Sequence, residues 1–476
     1  MSNVVIVEPQ NGERLSITAR IPSGRATVQT PSWNSIWLTG IVTAIASLSA
    51  CSRIVPRAIR EPRDGTGAET PAHRRCDLFI EPDFEKKTIA IRAQIDIEIP
   101  APKSSFEFGL SDLYTVVAIE ADGMPVKIER HNGELTVMLP QPARRVSLVF
   151  RLRGSFGRPA AGEGDEGRPV IDDESLFLLW SDRFYPIDFD EWSLLRIEIV
   201  LPARFKAIAP GRLLSAERHD DNRLWVFQTT HPVGPSSVLA DSRWTETQRT
   251  VNGIPMRTLL HPESRQYAEK IFATSSDVLK FFSELHGSYP FDGFTFVTVA
   301  RMGARRAFPG FVAYEPGYLK KEFTTTGYDA HETALLWWGY TTHGRGPGAF
   351  AWTEGLGDYV EFMYDEARGK PIPAIFEHFQ AEYLKTAAVE DRHYTDLGGA
   401  PQQIIHGRYP WVMQALRKEL GDDAFRQGIR LLFRRYRWRT FSMDDFIATF
   451  EEAGSRSLES WRAQWLERPP ARLRQR

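Results

Sequence analysis

The sequence predicts an α+β chain of more than one domain, an all-β half followed by a mainly helical half. Three observations carry that expectation. Between residues 76 and 248 apolar and polar residues alternate, which is the period of half-buried strands. Beyond about residue 260 the apolar spacing changes to that of amphipathic helices. At 476 residues the chain is also long enough for two or three separate cores.

Taken in order, Ala26 to Ser52 carries no charged residue, and the apolar run inside it, from Ile36 to Ala50, ends at Cys51. That run is short for a spanning helix, which needs about 20 residues. It fits the apolar core of an export signal, with Arg20 and Arg25 as its basic flank. Residues 1–51 are therefore read as an export segment. The polar stretch Met1 to Ser32 is long for a signal's leading region, which points to a start codon downstream of Met1. Residues 52–75, rich in Arg, Pro and Gly without hydrophobic periodicity, read as a flexible tether.

The β-rich domain is expected over 76–248, with strands at Asp77–Pro82, Thr88–Ile99, Arg145–Leu152, Leu195–Leu201, Phe205–Ala209 and Leu224–Thr229. Asn132-Gly133 and Pro210-Gly211 supply turn signals between them. Over 249–476, helices are expected at Ser264–His286, Asp329–Tyr340, Trp352–Ala367, Trp411–Lys418, Asp422–Tyr436 and Ser442–Ala453. No internal repeat is found.

Composition narrows the function. A formal net charge of −2 gives no electrostatic footprint for nucleic acid. Two cysteines, Cys51 and Cys76, are too few for a disulfide framework or a cysteine zinc site, and leave one bridge at most.

The chemistry concentrates in His331-Glu332, which opens one of the expected helices. In a His-Glu-x-x-His helix the two imidazoles lie one turn apart on one face and share a zinc ion, while the Glu deprotonates the metal-bound water. Here the second histidine position is Leu335. Glu354 follows 19 residues later within Trp352-Thr-Glu354-Gly355-Leu356, and Trp337-Trp338-Gly339 ends the first helix. Phe281 to Phe291 and Trp411 to Phe425 flank this core. Together these segments resemble the aminopeptidase N-type gluzincin metallopeptidases over Cys76 to Ala453, about four-fifths of the chain. Leu48-Ser-Ala-Cys51 resembles the bacterial lipobox, in which the cysteine carries the lipid.

The resemblance implies a saddle-like all-β N-terminal domain and a mainly helical, thermolysin-like catalytic domain, without the large helical C-terminal domain of many family members and with a more open cleft. It implies zinc held by His331 and Glu354, with Glu332 as catalytic base. It also exposes three departures. Leu335 removes a zinc ligand. Ala307, preceded by Arg305 and Arg306, stands where the family binds the substrate's amino group with a Glu. His406 stands where the family has its catalytic tyrosine; a gapped register would put Tyr409 there instead, but the ungapped one keeps Arg408 where the family has Lys.

Two function classes follow. One is a family member whose peptidase activity is weak or lost, a pseudoenzyme that binds a ligand in the cleft or a partner through its β domain. The other is a working zinc peptidase with a site rebuilt from His331, Glu354 and His406, with His343 as a second candidate ligand. Arg305 and Arg306 either favour an acidic ligand or a peptide lacking a free amino terminus, or form a solvated turn. Lipidation at Cys51, or an uncleaved signal anchor, would hold the protein to the bacterial cell envelope facing the periplasm, with Ser52 favouring the outer membrane.

Overall fold

The computed structural model describes residues 4–6, 17–21, 24–28, 73–156, 169–188, 192–300, 302, 305–326, 328, 330–346, 349–387 and 402–467. Cys51, the apolar run before it and the expected tether up to residue 72 lie outside the described residues. The chain divides into two compact units, Met1–Ala46 and Ser47–Arg476. In the first, Val4–Ile6, Ile17–Ile21 and Gly24–Val28 form an antiparallel three-stranded sheet.

The second unit opens with a nine-stranded sheet. Its order is Arg212–His219, Asn222–Gln228, Leu194–Pro202, His73–Asp83, Thr88–Gly109, Glu134–Ser155, Tyr114–Ala121, Met124–Pro125, with Lys127–His131 paired to Glu134–Ser155. All pairings are antiparallel except His73–Asp83 with Leu194–Pro202. The alternation read in the sequence is the reason for the sheet: Ile89, Ile91, Ala93, Ile95 and Ile97 all turn inward. They share one core with Leu176, Leu178, Val238 and Ala240 of a four-stranded sheet ordered Val170–Ile171, Ser175–Leu178, Val238–Asp241, Lys206–Ile208. Cys76 is buried in this core, which pushes its thiol pKa up and leaves it unreactive.

Nine helices are described next: α1 (Ala268–His286), α2 (Pro316–Lys321), α3 (His331–Trp338), α4 (Ala349–Glu366), α5 (Ile372–Ala387), α6 (Gln402–Leu420), α7 (Asp422–Tyr436), α8 (Met443–Gly454) and α9 (Glu459–Trp465). Among the described residues none is long and apolar enough to cross a membrane. Within this half lies a five-stranded sheet that the helical reading did not anticipate. Its order is Thr245–Val251, Ile254–Leu260, Phe294–Thr298, Phe311–Tyr314, Arg305–Phe308. Phe294–Thr298 is buried along its whole length, so its run is continuous and shows no alternation. The strand Thr245–Val251 crosses residue 248 and hydrogen-bonds to Ile254–Leu260, so it belongs to this second sheet.

A small apolar cluster joins the two halves. Phe177, Leu179, Ile208 and Trp244 pack there against Leu259, Val297, Phe308 and Phe311. Trp192 of the β half also donates its indole N–H to His343 Nε2 at 3.1 Å, and His231 stacks on Trp438 with ring centres 4.4 Å apart.

Candidate functional site

The site is built on three helices. All eight residues of α3 are buried, so it is a core element. No side chain of Ala330 caps it; instead Glu361, one turn beyond Asp358 on α4, accepts the Ala330 N–H at 3.2 Å. Gly357 lets α3 and α4 approach closely: a Cβ there would meet Leu335 Cδ2 at 2.8 Å and His331 Cε1 at 3.4 Å. Gly355 does the same for α6, where a Cβ would fall 2.1 Å from Tyr409 Cβ. Helix α6 contains Pro410, so the carbonyl of His406 lacks its usual donor four residues on.

His331 and Glu354 come together as the sequence suggests, Nε2 to Oε2 at 3.2 Å. The other ring nitrogen of His331, Nδ1, lies 2.8 Å from Asp358 Oδ1. Asp358 turns its second oxygen to His406 Nδ1 at 2.7 Å, so one carboxylate holds two imidazoles. The two rings meet edge to face with centroids 5.8 Å apart. Burial alone would lower the pKa of His331, but the charges of Asp358 and Glu354 outweigh it and hold His331 well above the ordinary histidine value. His406 is raised for the same reason, burial being overcome chiefly by Asp358. Burial works against the ionised form of Asp358, yet the two imidazoles hold its pKa well below the carboxylate range. The cluster is one carboxylate shared between two buried imidazoles, each of which it favours in the protonated form.

Glu332 is on the same helix but faces another partner. Arg305 Nε lies 3.6 Å from its Oε1, while Arg305 Nη1 bonds Glu322 at 2.9 Å and the Tyr318 hydroxyl at 3.1 Å. Arg305 is thus committed within the protein and is not a solvated turn residue. Arg306, the next residue on the edge strand, forms no ion pair with a described residue. Ala307 is buried, and its carbonyl accepts the Tyr340 hydroxyl at 2.7 Å.

His343 is a correction. It stands away from the cluster, donating from Nδ1 to Gly344 O at 2.5 Å and accepting Trp192 at Nε2, so neither nitrogen is offered to a metal. Burial lowers its pKa and keeps it neutral. Of the two readings of the tyrosine position, His406 is the residue brought to the cluster; Tyr409 packs against Gly355. Sequence reasoning gave no role to Asp358, Glu361 or Tyr340. Asp358 had a signal: it follows Glu354 by four residues, one helical turn on the same face.

The donor set can be weighed against zinc. Two zinc ligands in a tetrahedral site lie about 3.3 Å apart, so the His331–Glu354 spacing suits such a pair. The third ligand is missing: Leu335 fills that position with carbon packed on Gly357, and His406 is drawn to Asp358. The expected set of His331, Glu354 and His406 is therefore not assembled around one point. A different group, His331, Asp358 and Glu361, has ligand atoms all within 4.8 Å of one another, but His331 is already bonded to Asp358 there and Glu361 caps α3. The residues present do not fit the usual three-ligand zinc site.

No family model matches the chain, and no curated protein matches it in sequence. Solved structures do match. An M1 zinc metallopeptidase from Deinococcus radiodurans aligns over 82% of this chain and 93% of its own, with a TM-score of 0.66 and 16% identity. A mutant of that enzyme bound to a Tyr-Ser-Ala substrate gives a TM-score of 0.68 over 83% and 93%, again at 16% identity. A two-domain M1 zinc metallopeptidase mutant bound to L-tryptophan gives 0.68 over 85% and 97%, at 15% identity. The fold is that of an M1 zinc metallopeptidase. It accounts for the all-β half and the mainly helical half.

Proposed function

We propose that this chain is a divergent, lipid-anchored cell-envelope homologue of the M1 peptidases that binds a peptide in the cleft without hydrolysing it at zinc. The observation that carries the reading lies on α3, in one replacement and one diverted carboxylate. Leu335 occupies the second ligand position, and the carboxylate expected to act as base, Glu332, faces the Arg305 guanidinium. A site with two of three protein ligands holds zinc weakly, and several changes within one catalytic unit cost orders of magnitude in rate. Lipidation at Cys51 rests on the sequence alone, as does the envelope location.

Metal analysis of the full-length protein, purified in detergent and dialysed, tests this, with Leu335→His beside it. The expected result is far less than one zinc per chain in the wild type and a clear gain in the variant. Stoichiometric zinc in the wild type, lost in Glu354→Ala and accompanied by peptide hydrolysis, would overturn the reading. A second reading, a working metallopeptidase, has one observation in its favour: the His331, Asp358 and Glu361 group. One nitrogen and two carboxylates suit a harder divalent ion than zinc. Metal that is retained by Glu354→Ala but lost in Glu361→Gln would support it.

A further inference from the structure

An arginine stands on the inner face of the nine-stranded sheet. Along His73–Asp83 the inward positions are Arg74, Cys76, Leu78 and Ile80, all of them buried. The last three belong to the apolar core, whereas Arg74 puts a guanidinium where that pattern calls for carbon. Its side chain is 4% exposed, and its Nη1 is paired with Asp188 Oδ2 at 2.8 Å. Its Nε is sealed from solvent and has no hydrogen-bond partner. A buried donor without an acceptor is rare and signals a missing partner.

Arg74 lines a cavity. The space measures about 20 Å³ and is partly open to solvent, with the stretches 185–188 and 233–235 in its wall. Cys76, Ile95 and Leu195 also line it, side by side in one row of the sheet. About 10–15 Å³ is enough for one water, so the cavity admits one small group. Its other polar groups offer that group little. The Tyr185 hydroxyl already accepts the Ser236 N–H at 3.0 Å, and burial raises the Cys76 pKa and keeps its thiol protonated. An apolar occupant would leave the Arg74 Nε unmet.

A carboxylate suits this geometry. The edge of a guanidinium formed by Nε and Nη2 presents two parallel N–H groups, spaced for the two oxygens of a carboxylate. Asp188 pairs with Nη1, which is not part of that edge. The Asp188 side chain is 24% exposed, so water screens its charge more than that of the sealed guanidinium.

We infer that Arg74 and this cavity form a carboxylate site in the β half, which receives the end group of a small acid or of a peptide's C-terminus. The site shares no residue with the histidine cluster, so it stands or falls apart from the peptide-binding reading above.

The test is titration of the full-length protein in detergent, at constant ionic strength, with acetate and with N-acetylalanine, each beside its amide. Binding is followed by saturation transfer to the methyl protons. Both carboxylates are expected to bind, and neither amide. Asp188→Asn removes a like charge from beside the bound oxygens and is expected to tighten acetate about tenfold. Arg74→Gln is expected to abolish binding. Circular dichroism checks both folds, and Asp188→Asn decides alone if Arg74→Gln does not fold. Tighter binding of N-acetylalanine than of acetate marks a peptide C-terminus as the source, and the reverse marks a small free acid. Binding of neither carboxylate, of an amide as tightly as its acid, or of acetate unchanged by Asp188→Asn overturns the site.

Discussion

Two pairs of histidines in the helical half are held in opposite ways. In the core, Trp338 donates its indole N–H to His286 Nε2 at 2.8 Å, and His286 Nδ1 donates to Phe282 O at 2.9 Å. His343 repeats that arrangement at the boundary with the β half, with Trp192 as donor and Gly344 O as acceptor. Both rings are neutral by construction, because an indole can only donate. At the candidate site, His331 and His406 instead share Asp358. Burial works against the charged form in all four, so the neighbour decides the direction of the shift. Where the neighbour is an indole donor the pKa falls, and where it is a shared carboxylate the pKa rises.

The largest effect should come from breaking the core pair. His286→Ala leaves the Trp338 N–H unpaired and opens a cavity among aromatic rings, costing about 4 kcal/mol in chemical denaturation. Acid should attack the same contact. Burial lowers His286 to about 3, so below about pH 6.5 the unfolded chain takes a proton that the native state refuses. Stability is therefore full above that pH and falls as the pH drops toward 3; a flat profile over this range would refute the neutral assignment. For His331 and His406 the sign reverses. In the metal-free protein their contribution is complete below about pH 6.5 and is lost as the pH rises through their raised native values.

Asp358→Asn is expected to cost about 3 kcal/mol, because it leaves two buried imidazoles without their shared counter-charge. Proton NMR titration should show both rings falling toward the ordinary value while His286 does not move. His343→Gln removes one link between the halves and should cost about 1 kcal/mol. Leu335→His should change stability least, and its readout is zinc content.

The strands of the β half were legible because Ile89 to Ile97 alternate on a sheet with one buried face, and α7 was legible to the residue from its amphipathic stripe. The five-stranded sheet was not, because Phe294–Thr298 is covered on both faces and its pattern cannot be told from a buried helix. At the site, His331, Glu354 and His406 were named through the resemblance to the aminopeptidase N-type peptidases, since they stand on three different helices and no helical repeat relates them. The Trp192–His343 bond joins residues 151 positions apart, and no local pattern announces it. Arg305 was read as facing either a ligand or solvent, whereas its partners Glu322 and Glu332 are brought to it by the tertiary packing.

Pro410 gives α6 a property that an unbroken helix would lack. With no amide at 410, the His406 carbonyl loses its helical donor, and the turn that carries the histidine is held by packing instead, through Ile405 and Tyr409, which sit in the same core as Val412, Met413 and Leu416. A change at position 406 therefore reaches the core through the neighbours on either side of it.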